Sequence, residues 1–183
     1  MGRGSDLTTS EELMAAVAAG DLAAFDQLVR RHEREVWRVA YRYVGDASEA
    51  EDLAQSAFLR VLRAAPRYRS TAPFRTYLYQ VVTRLCLDHA RKHRPVYSDE
   101  LPDRPDHRPA ADERLVARER ERRVREALDG LPGNQRIALI LRHFEGLGYG
   151  EIASALGTST KAVERLLARG REALRGTLRD LTP

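Results

Sequence analysis

Four prolines close together divide the chain into two parts. They are Pro95, Pro102, Pro105 and Pro109, and no apolar periodicity survives between them. Proline has no backbone N–H and its ring clashes with the preceding helical turn, so a helix cannot continue through this stretch. The sequence therefore predicts a Pro-rich linker over residues 95–111, between one domain at 20–94 and a smaller one at 112–183. Residues 1–19 form an N-terminal extension.

The longer domain shows helical periodicity throughout. Apolar residues recur at spacings of three and four from Leu22 to Tyr43 and again from Leu53 to Leu62. Three predicted helices have start and stop signals, namely Asp21 and Gly45, Ser48 with Glu51 and Pro66, and Pro73 and Pro95. Strand-like alternation bounded by turn residues is missing from the sequence.

The smaller domain has the same character. Asp112 is a candidate cap for a charged helix that ends at Gly130, and residues 134–144 form a short apolar helix. Two more helices follow, from 149 to 156 and from 160 onward. The predicted fold class is therefore all-α, with two small helical domains joined by the linker.

The last two predicted helices have the pattern of a helix-turn-helix. Gly157 suits the turn and Ser159 is a good N-cap for the second helix. At 100° per residue the basic side chains of that helix share one face, opposite its apolar residues. These basic residues are Lys161, Arg165, Arg169, Arg171, Arg175 and Arg179. Because this motif places its second helix in the major groove, the pattern favours DNA binding over a merely solvated face.

A second basic surface lies in the longer domain. Between Arg60 and Arg94 there are nine Arg or Lys residues and a single acid, Asp88. Aromatic residues are interleaved with them, namely Tyr68, Phe74, Tyr77 and Tyr79. Basic groups neutralise phosphates and rings stack on unpaired bases, which favours single-stranded or melting DNA, although some of these rings must belong to the core. A nearby acidic stretch, from Asp46 to Asp52, would instead suit a basic protein.

Composition excludes several classes of protein. The formal net charge of +4 favours an acidic partner. Cys86 is the only cysteine, so no disulfide can form within the chain, and a reducing, cytoplasmic location is expected. No apolar run is long enough for a membrane span, so no membrane insertion is expected. The sequence also lacks a P-loop, a nucleophile motif and paired catalytic carboxylates, and it is not expected to be an enzyme.

One group of potential metal ligands was considered. Cys86, His89 and His93 lie at i, i+3 and i+7 of one predicted helix, where they could share a metal ion. A fourth ligand is not evident, and a core cysteine with two surface imidazoles explains the spacing equally. No metal and no cofactor are therefore expected.

Three segments together resemble a known family. They are DASEAEDLAQSAFLRVLR, PFRTYLYQVVTRLCLDHARKHR and LPGNQRIALILRHFEGLGYGEIASALGTSTKAVERLLARGREALR. In this order they resemble a bacterial RNA polymerase sigma factor of the extracytoplasmic-function (ECF) type, over about residues 20 to 180. The resemblance implies sigma region 2 at 20–94 and sigma region 4 at 112–183.

The resemblance also implies partners and residue roles. The chain would bind the β′ and β subunits of core RNA polymerase and direct it to promoter DNA, and a cognate anti-sigma factor would regulate it. The implied polymerase-binding residues are Glu51, Asp52, Leu53, Gln55 and Phe58. The implied minus-10 residues are Arg67, Tyr68, Arg69, Arg75, Tyr77, Arg84, Asp88, Arg91 and Lys92, with the loop 67–72 forming a pocket for a flipped base. The implied minus-35 residues are Ser159, Thr160, Lys161, Glu164, Arg165 and Arg169.

Some positions depart from the family pattern. Tyr77 stands where many members have Trp, Arg84 stands where Asn is usual, and Gly148 replaces a usual Ser cap. Glu164 and Leu166 replace the Lys and Arg often found in the recognition helix. These departures affect the expected sequence preference more than the fold. The alternative is a stand-alone helix-turn-helix regulator, which would bind DNA without polymerase and would not need the acidic docking helix.

Overall fold

A computed structural model describes residues 9–92 and 122–177, and within these ranges every regular element is helical. The elements of the N-terminal half are α1 (Ser10–Ala18), α2 (Leu22–Val44), α3 (Ala47–Ala64), a 3-10 turn (Ala65–Arg67) and α4 (Phe74–Lys92). Those of the C-terminal half are α5 (residues 122–129), α6 (Gly133–His143), α7 (Tyr149–Leu156) and α8 (Thr160–Thr177). The predicted all-α class is confirmed. The predicted linker and the Asp112 cap lie outside the described residues.

Helix α1 lies within residues 1–19, for which the sequence predicts only an N-terminal extension. The Thr9 hydroxyl accepts the backbone N–H of Glu12, and the Glu12 carboxylate accepts the backbone N–H of Thr9. This reciprocal capping box satisfies two N–H groups that the helix itself leaves unpaired. Leu13, Met14 and Val17 are buried against the rest of the N-terminal half.

The apolar stripes of α2, α3 and α4 form the core of the N-terminal half. Asp21 caps α2 and Gly45 ends it in the left-handed region at φ 81°, as the sequence predicted. The predicted capping of α3 at Ser48 is wrong, because Asp46 accepts the Glu49 backbone N–H at 2.9 Å and the helix already begins at Ala47. Aspartate is as good an N-cap as serine, so the cap lies two residues before the predicted one.

Helix α4 is capped by an acid from α1. The Phe74 backbone N–H donates to Glu11 Oε1 at 2.6 Å. This hydrogen bond is the largest cause of a lowered pKa at Glu11, since it favours the charged carboxylate. A carboxylate at a helix N-terminus is also stabilised by the helix dipole. The first helix of the chain therefore fixes the start of α4.

In the C-terminal half, α6 packs against α7 and α8. Ile152, Val163 and Leu167 are fully buried, and α8 approaches α6 closely at Gly170. A Cβ atom at Gly170 would lie 2.8 Å from Leu139 Cδ1, so a larger residue at this position would force the buried Leu139 side chain to shift. The buried residues of both halves form one continuous hydrophobic cluster, in which α4 contacts α7 and α2 contacts α6.

Candidate nucleic-acid interface

An apolar groove runs between α2 and α3. We call it the α2–α3 groove, and its volume is about 820 Å³. Phe25, Val29, Trp37, Ala54, Phe58 and Leu59 provide its apolar lining, and Glu33, Arg34, Glu51 and Gln55 provide its polar edge. Leu59 is 50% exposed, which is unusual for a large apolar side chain. Exposed apolar surface with a polar rim is typical of a protein-binding site.

The implied polymerase-binding residues lie in three kinds of position. Glu51, Gln55 and Phe58 line the α2–α3 groove because they recur at i, i+4 and i+7 on α3. Asp52 lies beside them on the exposed surface. Leu53 is buried in the core, so its position fits a supporting role better than direct contact.

A small pocket lies between the 3-10 turn and α4. We call it the loop pocket, and its volume is about 230 Å³. Its lining includes four of the implied minus-10 residues, Arg67, Tyr68, Arg69 and Tyr77, together with Thr71 and Gln80. The centroids of the Tyr68 and Tyr77 rings are 5.1 Å apart. Burial raises the pKa of both tyrosines, so both phenols stay neutral and can donate hydrogen bonds at neutral pH.

Several implied minus-10 residues continue from this pocket along one face of α4. Tyr77, Gln80, Arg84, Asp88 and Arg91 fall at i, i+3, i+7, i+11 and i+14. This spacing keeps them within about 80° around the helix axis. We call this set the α4 stripe. Lys92 is exposed beside its end, and Arg91 lies 3.7 Å from the Asp88 carboxylate.

Arg75 points away from the α4 stripe. Its Nε donates to Glu35 Oε1 at 2.7 Å and its Nη2 donates to the Tyr79 hydroxyl at 2.9 Å. Burial alone would raise the pKa of Glu35, but its contacts with the His32, Tyr79 and Arg75 side chains and the charge of Arg75 lower it to about 2. The structure therefore does not bring Arg75 together with the other implied minus-10 residues.

The aromatic residues of this region serve two purposes. Phe74 and Tyr79 are fully buried in the core, whereas Tyr68 and Tyr77 are half-buried at the loop pocket. Of the four rings considered from the sequence, only the second pair has a face available near solvent. Thr71 belongs to the loop 67–72 for which the sequence predicts a pocket, whereas Gln80 was not predicted, although its i+3 spacing to Tyr77 could have indicated it.

The helix-turn-helix forms as predicted. Gly157 lies in the left-handed region at φ 61°, which a residue with a Cβ rarely adopts, and Ser159 Oγ accepts the Ala162 backbone N–H at 3.2 Å. Gly148 starts α7 without a side-chain cap, but its own N–H donates to Glu151 Oε2 at 2.7 Å. That hydrogen bond compensates in part for the missing serine.

Helix α8 presents the implied minus-35 residues to solvent. Ser159, Thr160, Lys161, Glu164, Arg165 and Arg169 are all exposed. Val163, Leu167 and Gly170 are buried on the opposite face, so the predicted division of this helix is confirmed. The start of α8 and three of its basic side chains, Lys161, Arg165 and Arg169, are therefore accessible to a partner. Arg179 lies outside the described residues.

Neither metal binding nor thiol chemistry finds support in the described part of the chain. No group of three or more potential ligands comes together among residues 9–92 and 122–177, and His93 falls outside them. Cys86 is buried, and burial raises the pKa of its thiol to about 12, which keeps it protonated. His89 Nε2 lies 3.1 Å from the Glu49 carboxylate. Within the same ranges no helix is long and apolar enough to cross a membrane.

Comparison with known families gives two matches along the chain. Residues 28–96 match the family described as Sigma-70 region 2, and residues 121–174 match Sigma-70, region 4. The ECF RNA polymerase sigma factor SigE of Mycolicibacterium smegmatis is 38% identical over 88% of this chain and 65% of its own length. The chain therefore spans about two thirds of that relative. The RNA polymerase sigma-H factor of Pseudomonas aeruginosa is 33% identical over 93% of this chain and 94% of its own length.

Solved structures agree with this result. CnrH in complex with the cytosolic domain of CnrY has a TM-score of 0.71 and 26% identity, and the match covers 93% of this chain and 97% of that one. RpoE of Bartonella quintana, in complex with the anti-sigma factor NepR, has a TM-score of 0.63 and covers 85% of this chain and 96% of that one. Its identity of 18% supports the shared fold alone. From the matches to both sigma regions and to the sigma factors of Mycolicibacterium smegmatis and Pseudomonas aeruginosa, we conclude that the chain belongs to the ECF family of RNA polymerase sigma factors.

Proposed function

We propose that this chain binds core RNA polymerase and directs it to promoters, where it recognises the minus-10 and minus-35 elements. One observation carries this proposal. The same chain presents an apolar groove whose polar edge includes Glu33 and Glu51 and, apart from it, two basic surfaces on α4 and α8. The groove suits a protein partner, and the basic surfaces suit DNA. A stand-alone regulator would need only the second kind of surface.

The α2–α3 groove is the proposed docking site for the polymerase β′ subunit, with the β subunit as a further contact of the chain. Glu51 and Gln55 flank its apolar floor and Asp52 lies just outside. Exposed acids contribute little to the stability of the chain itself, but they steer a basic partner and determine its orientation. The groove therefore combines apolar contact area with charge complementarity.

The loop pocket and the α4 stripe are the proposed minus-10 site. A pocket of about 230 Å³ is large enough for a nucleobase, and it is lined by two tyrosine rings and by Arg67 and Arg69. Aromatic rings stack on an unpaired base whatever its identity, and arginines neutralise the adjoining phosphates. From this pocket Arg84 and Arg91 continue along α4, where they can follow the backbone of a separated strand.

The N-terminal part of α8 is the proposed minus-35 site. In a helix-turn-helix, the first residues of the second helix contact base edges and later ones contact the backbone. Lys161, Glu164 and Arg165 are exposed in this first part of α8, and Arg169 follows one turn later. Guanidinium groups prefer guanine, and a carboxylate accepts a hydrogen bond from the amino group of cytosine.

We further propose that an anti-sigma factor regulates the chain. We also propose that the chain acts in the cytoplasm and has no catalytic activity of its own. Two structurally similar proteins are bound to partners in their solved structures, CnrH to CnrY and RpoE to the anti-sigma factor NepR. The exposed apolar floor of the α2–α3 groove is available for such a partner here. Catalysis of RNA synthesis would belong to the polymerase.

Titration of labelled protein into sigma-free core RNA polymerase tests the docking site. Asp52→Lys should weaken binding at least about tenfold because it reverses a charge that faces a basic partner. Glu172→Lys makes the same change in charge on exposed α8 and should leave binding to polymerase unchanged. Normal binding by Asp52→Lys would move the docking site elsewhere, and failure of the folded wild-type chain to bind would favour the stand-alone regulator.

Binding of promoter duplexes tests the minus-35 site. If Arg165 reads a base, Arg165→Ala should relax discrimination at one position by roughly 1–3 kcal/mol, whereas loss of a phosphate contact weakens all sequences alike and lowers the salt slope by about one. Arg175→Ala removes the same group from the last turn of α8, where we expect only the uniform effect. An unchanged affinity for Arg165→Ala would remove this residue from the interface.

A further inference from the structure

Glu145 is a buried acid at the boundary between the two halves. It lies in the loop between α6 and α7, and its side chain is only 2% exposed. Arg42 Nη1 lies 3.1 Å from its Oε1 and Arg38 Nη2 lies 3.6 Å from its Oε2. The Tyr79 hydroxyl donates to Oε2 at 3.2 Å. All three of these groups belong to the N-terminal half.

This arrangement makes Glu145 depend on the N-terminal half. A buried carboxylate is unfavourable unless charges of opposite sign and hydrogen bonds compensate for the lost hydration. Arg38, Arg42 and Tyr79, which we call the arginine site, supply both. Arg42 also lies over the Phe144 ring, 4.5 Å from its centroid, so the residue preceding Glu145 adds a cation–π contact.

Other polar contacts between the halves lack a buried acid. Arg125 Nη2 donates to the Tyr41 hydroxyl at 2.9 Å, and Arg136 Nη1 donates to the Tyr43 carbonyl at 2.8 Å. In each contact the acceptor is neutral, and the Arg125 contact is exposed. Among the described contacts between the halves, Glu145 is therefore the acid most sensitive to their separation.

With its two halves packed together, in what we call the closed form, the chain is too short to contact both promoter elements. Elements centred near −35 and −10 are about 25 base pairs apart, which corresponds to about 85 Å of duplex at 3.4 Å per base pair. A compact chain of this length has a radius of gyration of about 16 Å and is roughly 40 Å across. The roughly 30 residues between Lys92 and α5 could reach about 100 Å if extended, so their length permits separation of the halves.

We propose that Arg38, Arg42 and Tyr79 form a carboxylate-binding site whose intramolecular ligand is Glu145, and that this contact stabilises a closed form of the chain that must open before both promoter elements are bound. The need for opening rests on the proposed function. The existence of the closed form and its dependence on Glu145 do not, because they follow from the contacts between the two halves.

Energy transfer between two dyes on the full-length chain tests this proposal. Dyes on Gln27→Cys in α2 and Ser154→Cys in α7 report the separation of the halves, and buried Cys86 stays unlabelled. Glu145→Gln removes the charge that attracts the arginines, and we expect the open fraction to rise about tenfold or more. Glu126→Gln is the matched control, because Glu126 pairs with Arg122 on its own helix and should leave the transfer unchanged.

A second variant removes the arginine partners of Glu145 and leaves the acid in place. The double variant Arg38→Ala/Arg42→Ala should also increase the open fraction. If circular dichroism shows that Glu145→Gln does not fold, the double variant provides the test of the proposal. Wild-type transfer in either folded variant would overturn the proposal. Because the assay contains neither DNA nor polymerase, a chain that opens as expected but does not bind core polymerase would contradict the proposed function alone.

Discussion

At the scale of single residues, Glu35 shows how buried neighbours fix a charge. Arg75 Nε donates to its carboxylate at 2.7 Å, and His32 Nδ1 lies 3.6 Å from its second oxygen. Burial opposes ionisation, but the contacts with His32, Tyr79 and Arg75, of which Arg75 is the closest cation, outweigh it and lower the pKa of Glu35 to about 2. The network therefore joins α2 to α4 as long as Glu35 is charged.

This pKa predicts a pH dependence of stability. A group whose pKa is lower in the folded chain stabilises it above the unfolded pKa near 4.5, and the contribution is lost as the pH falls from there towards about 2. Glu35→Gln should lower the free energy of unfolding by about 2 kcal/mol at pH 7 and by much less near pH 2. Urea denaturation at several pH values measures this difference.

The control for Glu35 is an exposed acid on the same helix. Asp26 pairs with Arg30 at 3.0 Å, but both side chains are mostly exposed. Asp26→Asn should therefore change the free energy of unfolding by less than about 1 kcal/mol at any pH. A pH-independent loss in Glu35→Gln would show that packing, and not charge, explains the effect.

At the scale of elements, the two faces of α4 have different surroundings and different proposed roles. The α4 stripe faces solvent from Tyr77 to Arg91, whereas Arg75 lies on the opposite side with Glu35 and Tyr79. The sequence predicts one continuous basic surface here because it gives the spacing of arginines but not their partners. Arg75 is paired because Glu35 of α2 lies beside it, and this tertiary contact cannot be seen in the spacing of residues along α4.

The two faces of α4 predict opposite outcomes for two arginines. Arg84→Ala should weaken binding of a single-stranded minus-10 oligonucleotide and lower the salt slope by about 0.7, with little effect on stability. Arg75→Ala should lower the free energy of unfolding by about 1–3 kcal/mol because it leaves the Glu35 carboxylate without its closest cation. Anisotropy titrations at several salt concentrations, together with urea denaturation, separate the two. Equal binding by Arg84→Ala and wild type would exclude Arg84 from the interface.

The approach of α8 to α6 gives a second prediction for an element. At Gly170 a Cβ atom would lie 2.8 Å from Leu139 Cδ1, whereas at Gly176 on the same helix it would meet nothing within 4 Å. Gly170→Ala should destabilise the chain by about 1 kcal/mol, because overpacking outweighs the gain in helix propensity. Gly176→Ala should be neutral or stabilising by up to about 1 kcal/mol. Thermal denaturation of both variants checks this, and equal shifts would contradict the close approach.

At the scale of the whole molecule, local features were predictable and the relation between the halves was not. Gly45, Gly157 and Ser159 act through their own backbone or the next turn, so the sequence located them correctly. Helix α1 was missed, although Thr9 and Glu12 have capping-box spacing. The contact between Arg42 and Glu145 joins residues far apart in sequence, and no periodicity within either half could indicate it.

The closed form predicts one further result, at the contact between Gly133 and Tyr43. A Cβ atom at Gly133 would lie 2.6 Å from the Tyr43 hydroxyl oxygen, and Tyr43 is only 1% exposed, so its ring has little room to move. Gly133→Ala should therefore destabilise the closed form by about 1–3 kcal/mol and increase the radius of gyration measured by X-ray scattering. Gly150→Ala, where a Cβ would meet nothing within 4 Å, should change neither quantity appreciably.

The hydroxyl of Tyr43 allows a rescue experiment. This oxygen has no hydrogen-bond partner among the described residues, so Tyr43→Phe should cost little by itself. In the Gly133→Ala background the same change removes the closest atom; Tyr43 Cζ would lie 3.9 Å from the new Cβ, and the flexible end of Leu87, at 3.3 Å, would need only a small shift. The double variant should thus recover most of the lost stability and the compact radius of gyration. If the changes in the free energy of unfolding caused by the two substitutions were simply additive, residues 43 and 133 would not be in contact. The two halves could then not be packed against each other as the closed form requires.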